Sequence, residues 1–388
     1  MDYILTCNAG SSSVKLAVFA VDSLSEVGSA SVENIGQTQP VRIIGDEKLE
    51  IEASDHVSAI RQLEEWLQST ANSRAIVSVG HRIVHGGGIF TEPTVLDDRT
   101  VARLEGLSSL DPDHMPAALA TLSELQRLLP DCPHVACFDT AFFHDVPTNA
   151  KLMAIPRTYY EKGVRRYGFH GLSYQYLLRD FAEHEGAVAA EGKVIMAHLG
   201  SGCSLAAISG GKPIDMTMGF TPTSGVVMST RSGNIDPGVV TYLAERANVN
   251  AKEFSAIVNH RSGLLGVSGL SADMLTLLNA QASNQAAAEA VDLFCYEISK
   301  AVGALATTIG GLNSLIFAGG IGERSAEIRR RVCERLEHLG VRVDEARNQH
   351  NERLISRDDT DVGVHVIHTD EAKSIAHLIK NVIQQGEN

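Results

Sequence analysis

One turn chemistry occurs twice in this chain, each time between two short apolar runs. The first copy runs Tyr3-Ile4-Leu5-Thr6-Cys7, then Asn8-Ala9-Gly10-Ser11-Ser12-Ser13, then Val14-Lys15-Leu16-Ala17-Val18-Phe19. The second runs Val194-Ile195-Met196-Ala197-His198, then Leu199-Gly200-Ser201-Gly202-Cys203-Ser204, then Leu205-Ala206-Ala207-Ile208. Apolar runs of this length read as buried strands, and Gly/Ser turns between them read as hairpins. Such a turn lets backbone N–H groups and hydroxyls face a ligand without side-chain bulk. One copy is an ordinary connection. Two copies in 388 residues point to a duplicated domain with a phosphate-contacting hairpin in each half.

The length suits two domains, each with its own core. Strand-like and helix-like segments alternate, which predicts an α/β architecture. Asp55 should cap a helix reaching about Thr70, and a second should begin at Pro116. The stretch from Gln285 to Thr308 predicts a long helix whose small residues suit a domain or subunit boundary. Ser325 to about Leu339 predicts another, ended by Gly340. The boundary between the halves falls at Val146-Pro147-Thr148.

A net charge of −14 argues against nucleic acid and anionic membrane surfaces as partners, and means that an anionic substrate needs a local cationic pocket. No segment reads as a signal peptide or a membrane span. The six cysteines lack metal-finger spacing and read as buried thiols of a cytoplasmic protein. Walker A, GxGxxG and GxSxG patterns are all missing.

Individual residues then carry the argument. Arg82 leaves a predicted strand beside Gly86-Gly87-Gly88, where a guanidinium reaches either a cleft or plain solvent. His81 and His85 have zinc-like spacing only on a helix, and this stretch is β-rich. Asp139 directly follows the apolar run Ala136-Cys137-Phe138, a place for a metal ligand, a general base or a helix cap. His170 stands between glycines near Arg165 and Arg166, as an anion ligand or a structural residue. Arg231 lies in the polar turn Thr230-Arg231-Ser232-Gly233-Asn234.

In order and spacing these segments resemble the acetate/propionate kinase family of the actin and sugar-kinase superfamily. The resemblance runs through Gly80-His81-Arg82-Ile83-Val84-His85-Gly86-Gly87, Phe138-Asp139-Thr140-Ala141-Phe142 and Tyr167-Gly168-Phe169-His170-Gly171. It continues through Met218-Gly219-Phe220-Thr221-Pro222, Gly320-Ile321-Gly322-Glu323 and Thr369-Asp370-Glu371. It implies two duplicated actin-like (ribonuclease H-like) α/β domains with an interdomain nucleotide cleft. The domains would be residues 1–147 plus about 372–388, and 148–371.

The implied activity is magnesium-dependent, reversible phosphoryl transfer between ATP and acetate, giving ADP and acetyl phosphate. Propionate is the alternative acceptor and Mn2+ the alternative metal. The implied catalytic residues are Asp139, Arg82, Arg231 and His170, with Arg82, Val84, Phe169 and Pro222 around the acyl substrate. The implied nucleotide contacts are Asn8, Ser11, Ser13, Lys15, His198, Gly200, Ser201 and Gly202, then Asp273, Gly320, Ile321, Gly322 and Arg324. Asn8, Glu371 and Asp139 would serve the metal, and the family implies a homodimer. Ser201, Ser229, Asp113, Leu275 and Arg324 depart from the family pattern. Leu275 and Arg324 touch base selectivity, and Asp113 touches the acyl chain. A carboxylate acceptor is ionised at neutral pH, so Asp139 suits orientation and metal binding better than proton abstraction.

Overall fold

The structure is a computed structural model that describes residues 2–386. The chain divides into two compact units. Unit 1 comprises Met1–His144, Gly171–Tyr176 and Asp370–Asn388, and unit 2 comprises Asp145–His170 and Leu177–Thr369.

Unit 1 is built on a sheet of β1 (Asp2–Ala9), β2 (Ser13–Ala20), β3 (Glu26–Glu33), β4 (Val41–Ile44), β5 (Glu47–Glu50), β6 (Ala75–Ile83), β7 (Thr94–Val95) and β8 (His134–Phe138). Their order is β5-β4-β3-β2-β1-β6-β8-β7. β1, β6 and β8 run parallel, while β1 to β5 form an antiparallel meander. Parallel strands need cover on both faces, and β1 shows how it is supplied. Leu5 and Cys7 face one side, with Ile60, Leu67 and Leu125 from helices and Leu63 from the break between two of them. Ile4 faces the other, with Ile375, Ala376 and Ile379 of the C-terminal helix Glu371–Gly386. That helix sits directly on Gly80, where a Cβ would come 2.1 Å from Ile379 Cδ1.

Unit 2 repeats the plan with β9 (Val194–Leu199), β10 (Cys203–Ser209), β11 (Lys212–Met216), β12 (Ser314–Ala318) and β13 (Gly363–Val366). The order β11-β10-β9-β12-β13 matches β3-β2-β1-β6-β8, with the same senses of pairing. This is the duplicated actin-like α/β fold. Both expected hairpins are present, as β1–β2 and β9–β10.

Two helices differ from expectation and a third matches it. The first is capped by Asp55 in a reciprocal box with Ser58, but it breaks at buried Leu63 into His56–Gln62 and Glu64–Ser73. The stretch after Ser325 is the helix Ala326–Glu334 and a separate turn Glu337–Leu339, ended by Gly340 at φ 84°. The helix Gln285–Thr308 has the expected bounds, and its inner face lies in the core of unit 2. Its Val291, Phe294, Ile298 and Val302 are fully buried, and Ala287 and Ala290 let neighbouring helices approach. Among the described residues, no helix is long and apolar enough to cross a membrane.

Candidate active site

In unit 1 the parallel strands β1, β6 and β8 deliver Asn8, Arg82 and Asp139 to one edge of the sheet, at their C-terminal ends. Strand ends of this kind border ligand sites in open α/β sheets. Arg82 lies on β6, and Asp139 is the first residue after β8. Glu371 opens the C-terminal helix, where a carboxylate is favoured by the helix dipole.

These four side chains form one network. Arg82 Nη2 and Nε donate to Asp139 Oδ2 at 2.7 and 3.1 Å. Arg82 Nη1 lies 3.1 Å from Glu371 Oε2 and donates to Asn8 Oδ1 at 3.0 Å. Asn8 Nδ2 donates to Glu371 Oε2 at 2.7 Å. Burial works against the charge on Arg82, but Asp139 and Glu371 outweigh it and push its pKa up. Burial raises the Asp139 carboxyl above the usual range; Arg82 opposes the rise and Glu371 adds to it. The N–H of Leu172 faces this carboxylate and favours its ionised form, yet Oδ1 closes no hydrogen bond. Asp139 is therefore an ion-paired buried carboxyl whose Oδ1 is left without a closed hydrogen bond.

The β1–β2 turn places Ser11, Ser13 and Lys15 beside this edge, with Lys15 opposite Asn8 in the strand register. Its shape is fixed by Gly10 N–H donating to Ser13 O at 2.8 Å and by the ring of His56, whose Nε2 is 2.7 Å from Gly10 O. Val84 is buried just past β6. His81 turns away from Arg82 and pairs with His134, Nε2 to Nδ1 at 2.8 Å. Asp113 is exposed, while its neighbour Asp111 is buried against His114 at 2.9 Å.

In unit 2 the second hairpin meets His170 and Arg231. The His170 ring stacks on His198 with centroids 4.4 Å apart. Arg231 Nη1 donates to Pro222 O at 3.2 Å, so Pro222 holds the arginine through its carbonyl. Phe169 is buried. A Cβ placed on Gly202 would stand 3.2 Å from His170 Nε2 and 3.5 Å from Arg231 Nη1. Both nitrogens thus face the same space above Gly202, and only glycine leaves it open.

Beside this space lies a cavity of about 660 Å³ lined by Gly200, Ser201, Asp273, Gly320, Ile321 and Arg324 among others. Ser229 and Leu275, two of the departures, also line it. That volume is ordinary for a small-molecule site. Gly322 is buried behind the wall, against Phe317 and Leu199. Asp273 caps the helix Met274–Ala280 by accepting from Thr276 N–H, which keeps its carboxyl below the usual range.

Two further residues, to which the sequence reading gives no role, support this wall. Glu323 Oε1 accepts from Gly319 N–H at 2.8 Å and from Thr369 N–H at 3.2 Å, tying the glycine turn to the segment before Glu371. Arg329 is fully buried and donates to the carbonyls of Gly322 and Glu323, each at 2.8 Å, and to Asn348 and Asn351. Burial pulls its pKa down to about 10. Five of the six thiols are buried, and burial pushes Cys7 and Cys203 up to about 12, which leaves them unreactive.

Residues 3–377 match the profile of the Acetokinase family. The chain is 40% identical over 397 residues to the acetate kinase of Rhodopseudomonas palustris, with 99% of each covered. The crystal structure of Porphyromonas gingivalis acetate kinase superposes with a TM-score of 0.89 at 34% identity, covering 99% of this chain and 100% of that one. A propionate kinase from Francisella tularensis gives 0.91 at 32% identity, covering 97% and 99%.

Proposed function

The chain belongs to the acetokinase family, and on that premise we propose how its residues transfer a phosphoryl group between ATP and acetate. The products are ADP and acetyl phosphate, and the reaction is reversible. The observation that carries the reading is the convergence of His170 Nε2 and Arg231 Nη1 on the space above Gly202. Phosphoryl transfer spreads negative charge over three equatorial oxygens, so its catalysis is positioning and electrostatic stabilisation. Two cationic or neutral donors facing one point are suited to that charge.

Arg231 and His170 bind the phosphoryl oxygens in flight. Arg82 orients the acetate carboxylate, and Val84, Phe169 and Pro222 are assigned to the methyl group. Asn8, Ser11, Ser13 and Lys15 meet the phosphates from the first hairpin, and His198, Gly200, Ser201 and Gly202 from the second. Asp273, Gly320, Ile321, Gly322 and Arg324 hold the nucleoside, with the cavity beside Gly200 as its seat. The two domains are assigned as residues 1–147 plus about 372–388, and 148–371.

Asp139, Glu371 and Asn8 would hold Mg2+ or Mn2+. The donor set is hard oxygen, and buried Asp139 Oδ1 lacks a hydrogen bond, as a metal-facing oxygen should. When bound with the nucleotide, such a cation neutralises charge on the β- and γ-phosphates. Arg82 keeps Asp139 ionised and oriented, and acetate needs no proton removed from it. The buried thiols support a cytoplasmic setting, and a homodimer is the assembly that the sequence resemblance implies.

Incubation with ATP, Mg2+, acetate and hydroxylamine tests the reading, since an acyl phosphate is trapped as a hydroxamate and a phosphate ester is not. Hydroxamate formation that depends on acetate and ATP is expected. Its absence, with phosphorylation of a hydroxyl acceptor instead, overturns the reading. The structural likeness to a propionate kinase favours propionate as a second substrate. The ratio of kcat/KM for the two acids decides between them.

A further inference from the structure

The imidazole of His170 is fixed from three directions, all within unit 2. Its backbone is left-handed, at φ 61°, a conformation a non-glycine residue keeps only where its surroundings impose it. Its ring face lies on His198, with an interplanar angle of 26°. Its Nδ1 lies 2.9 Å from the hydroxyl of Ser204, which is buried on β10. Ser204 and His198 are cross-strand partners in the β9–β10 register, so one residue pair supplies both the stacking surface and the hydroxyl.

A neutral imidazole carries a single ring proton: the nitrogen that bears it donates, and the other accepts. With the proton on Nδ1, Nε2 would turn a lone pair toward the space above Gly202 and repel a phosphoryl oxygen. With the proton on Nε2, the uncharged ring donates there. A serine hydroxyl rotates freely and can supply its hydrogen to Nδ1.

We propose that Ser204 is a positioning residue that donates to His170 Nδ1 and so holds the ring in the Nε2–H tautomer, ready to bind the phosphoryl group. This rests on the assignment of His170 to that group. No proton is transferred in the step: the ring stays neutral and gives one hydrogen bond to an anionic oxygen. His198 keeps the ring from swinging while Ser204 sets its polarity.

The test combines 15N-histidine labelling with kinetics of Ser204→Ala, Ser204→Thr and His170→Asn. Long-range 1H–15N spectra of the native protein should show the His170 Nε2–H form at neutral pH. In Ser204→Ala a mixture of tautomers is expected, with kcat about 10- to 100-fold lower and KM values near native, by analogy with metal-bound imidazoles that lose the partner fixing their tautomer. Acidification should raise the relative kcat of Ser204→Ala, because protonating the ring places a hydrogen on Nε2 whatever its tautomer. Ser204→Thr, which keeps the hydroxyl, should restore both the tautomer and most of kcat. An Nδ1–H form in the native protein, or native kcat and tautomer in Ser204→Ala, overturns the proposal. Full turnover in His170→Asn overturns the parent assignment of His170 instead.

Discussion

Arg82→Ala removes the cation that two carboxylates share, so it should damage stability as well as turnover. Asp139 is 0% exposed and the Arg82 side chain 15%, which makes theirs a buried pair. Deleting one member of such a pair costs about 3–5 kcal/mol, because the other charge is left uncompensated. With a urea m-value of about 2 kcal/mol/M, the unfolding midpoint should fall by about 1.5–2.5 M. The single tryptophan, Trp66, packs on the unit 1 core and reports this transition by fluorescence. Acetyl phosphate formation should fall by about 10²-fold or more, the scale expected if the acetate carboxylate loses the group proposed to orient it. Adding Asp139→Asn separates the two losses. The double variant has no stranded Asp139 charge, so most of the midpoint should return while turnover does not. The pH dependence gives a second handle. Burial already raises the Asp139 carboxyl, and losing the guanidinium raises it further. A carboxyl whose pKa is higher in the folded state takes up protons on folding. Its contribution is favourable below its unfolded value, about 3.9, and is lost as pH rises through the folded value. The deficit of Arg82→Ala relative to native should therefore shrink on acidification. An unshifted midpoint, or a double variant no more stable than the single, refutes this account of the cluster.

The native protein should lose unit 1 stability on mild acidification through His81 and His134. Burial holds both pKa values below the ordinary histidine range, and His134 Nδ1 must stay unprotonated to accept from His81. Folding then favours the neutral rings, so this stability is complete above about pH 6.5 and drains as pH falls below it, at up to about 1.4 kcal/mol per pH unit per ring. Urea midpoints followed through Trp66 should drop between about pH 7 and pH 5, and a flat profile would contradict the pairing. Gly171→Ala should cost both stability and kcat, because its Cβ would lie 1.9 Å from the Asp139 carbonyl oxygen and 2.7 Å from Phe142 Cβ. Overpacking of this kind costs about 1–3 kcal/mol, readable in the same melts. Chelation of divalent metal should abolish turnover without moving Trp66 fluorescence, and Mg2+ or Mn2+ should restore it; full activity in excess chelator would remove the metal from the mechanism.

What the sequence discloses about this fold is whatever chemistry is local. The two hairpins are legible because a Gly/Ser turn between apolar runs is complete within about fifteen residues. The Asp55 cap is legible because its partner Ser58 is three residues away. The break at Leu63 is not, since neither glycine nor proline marks it and packing of Leu63 into the core decides it. The cluster around Arg82 shows the same division. Arg82 and Asp139 stand out as charges beside strand ends, but Asn8 and Glu371 join them across 363 residues, and the resemblance rather than spacing pointed to Glu371. His81 stands four residues from His85 in the sequence, while in the fold its partner is His134. Arg329 is the extreme case. A charge on a helix reads as solvated, yet this one is buried, because carbonyls and amides from separate segments receive its hydrogens. A sequence exposes which side chains carry charge, and only the fold shows what neutralises them. In this chain the neutralising partners turn ordinary residues into a site. Without Arg82, Asp139 would be a buried carboxyl with no cation to offset its burial, and Arg82 without Asp139 and Glu371 would be free to swing away from its post.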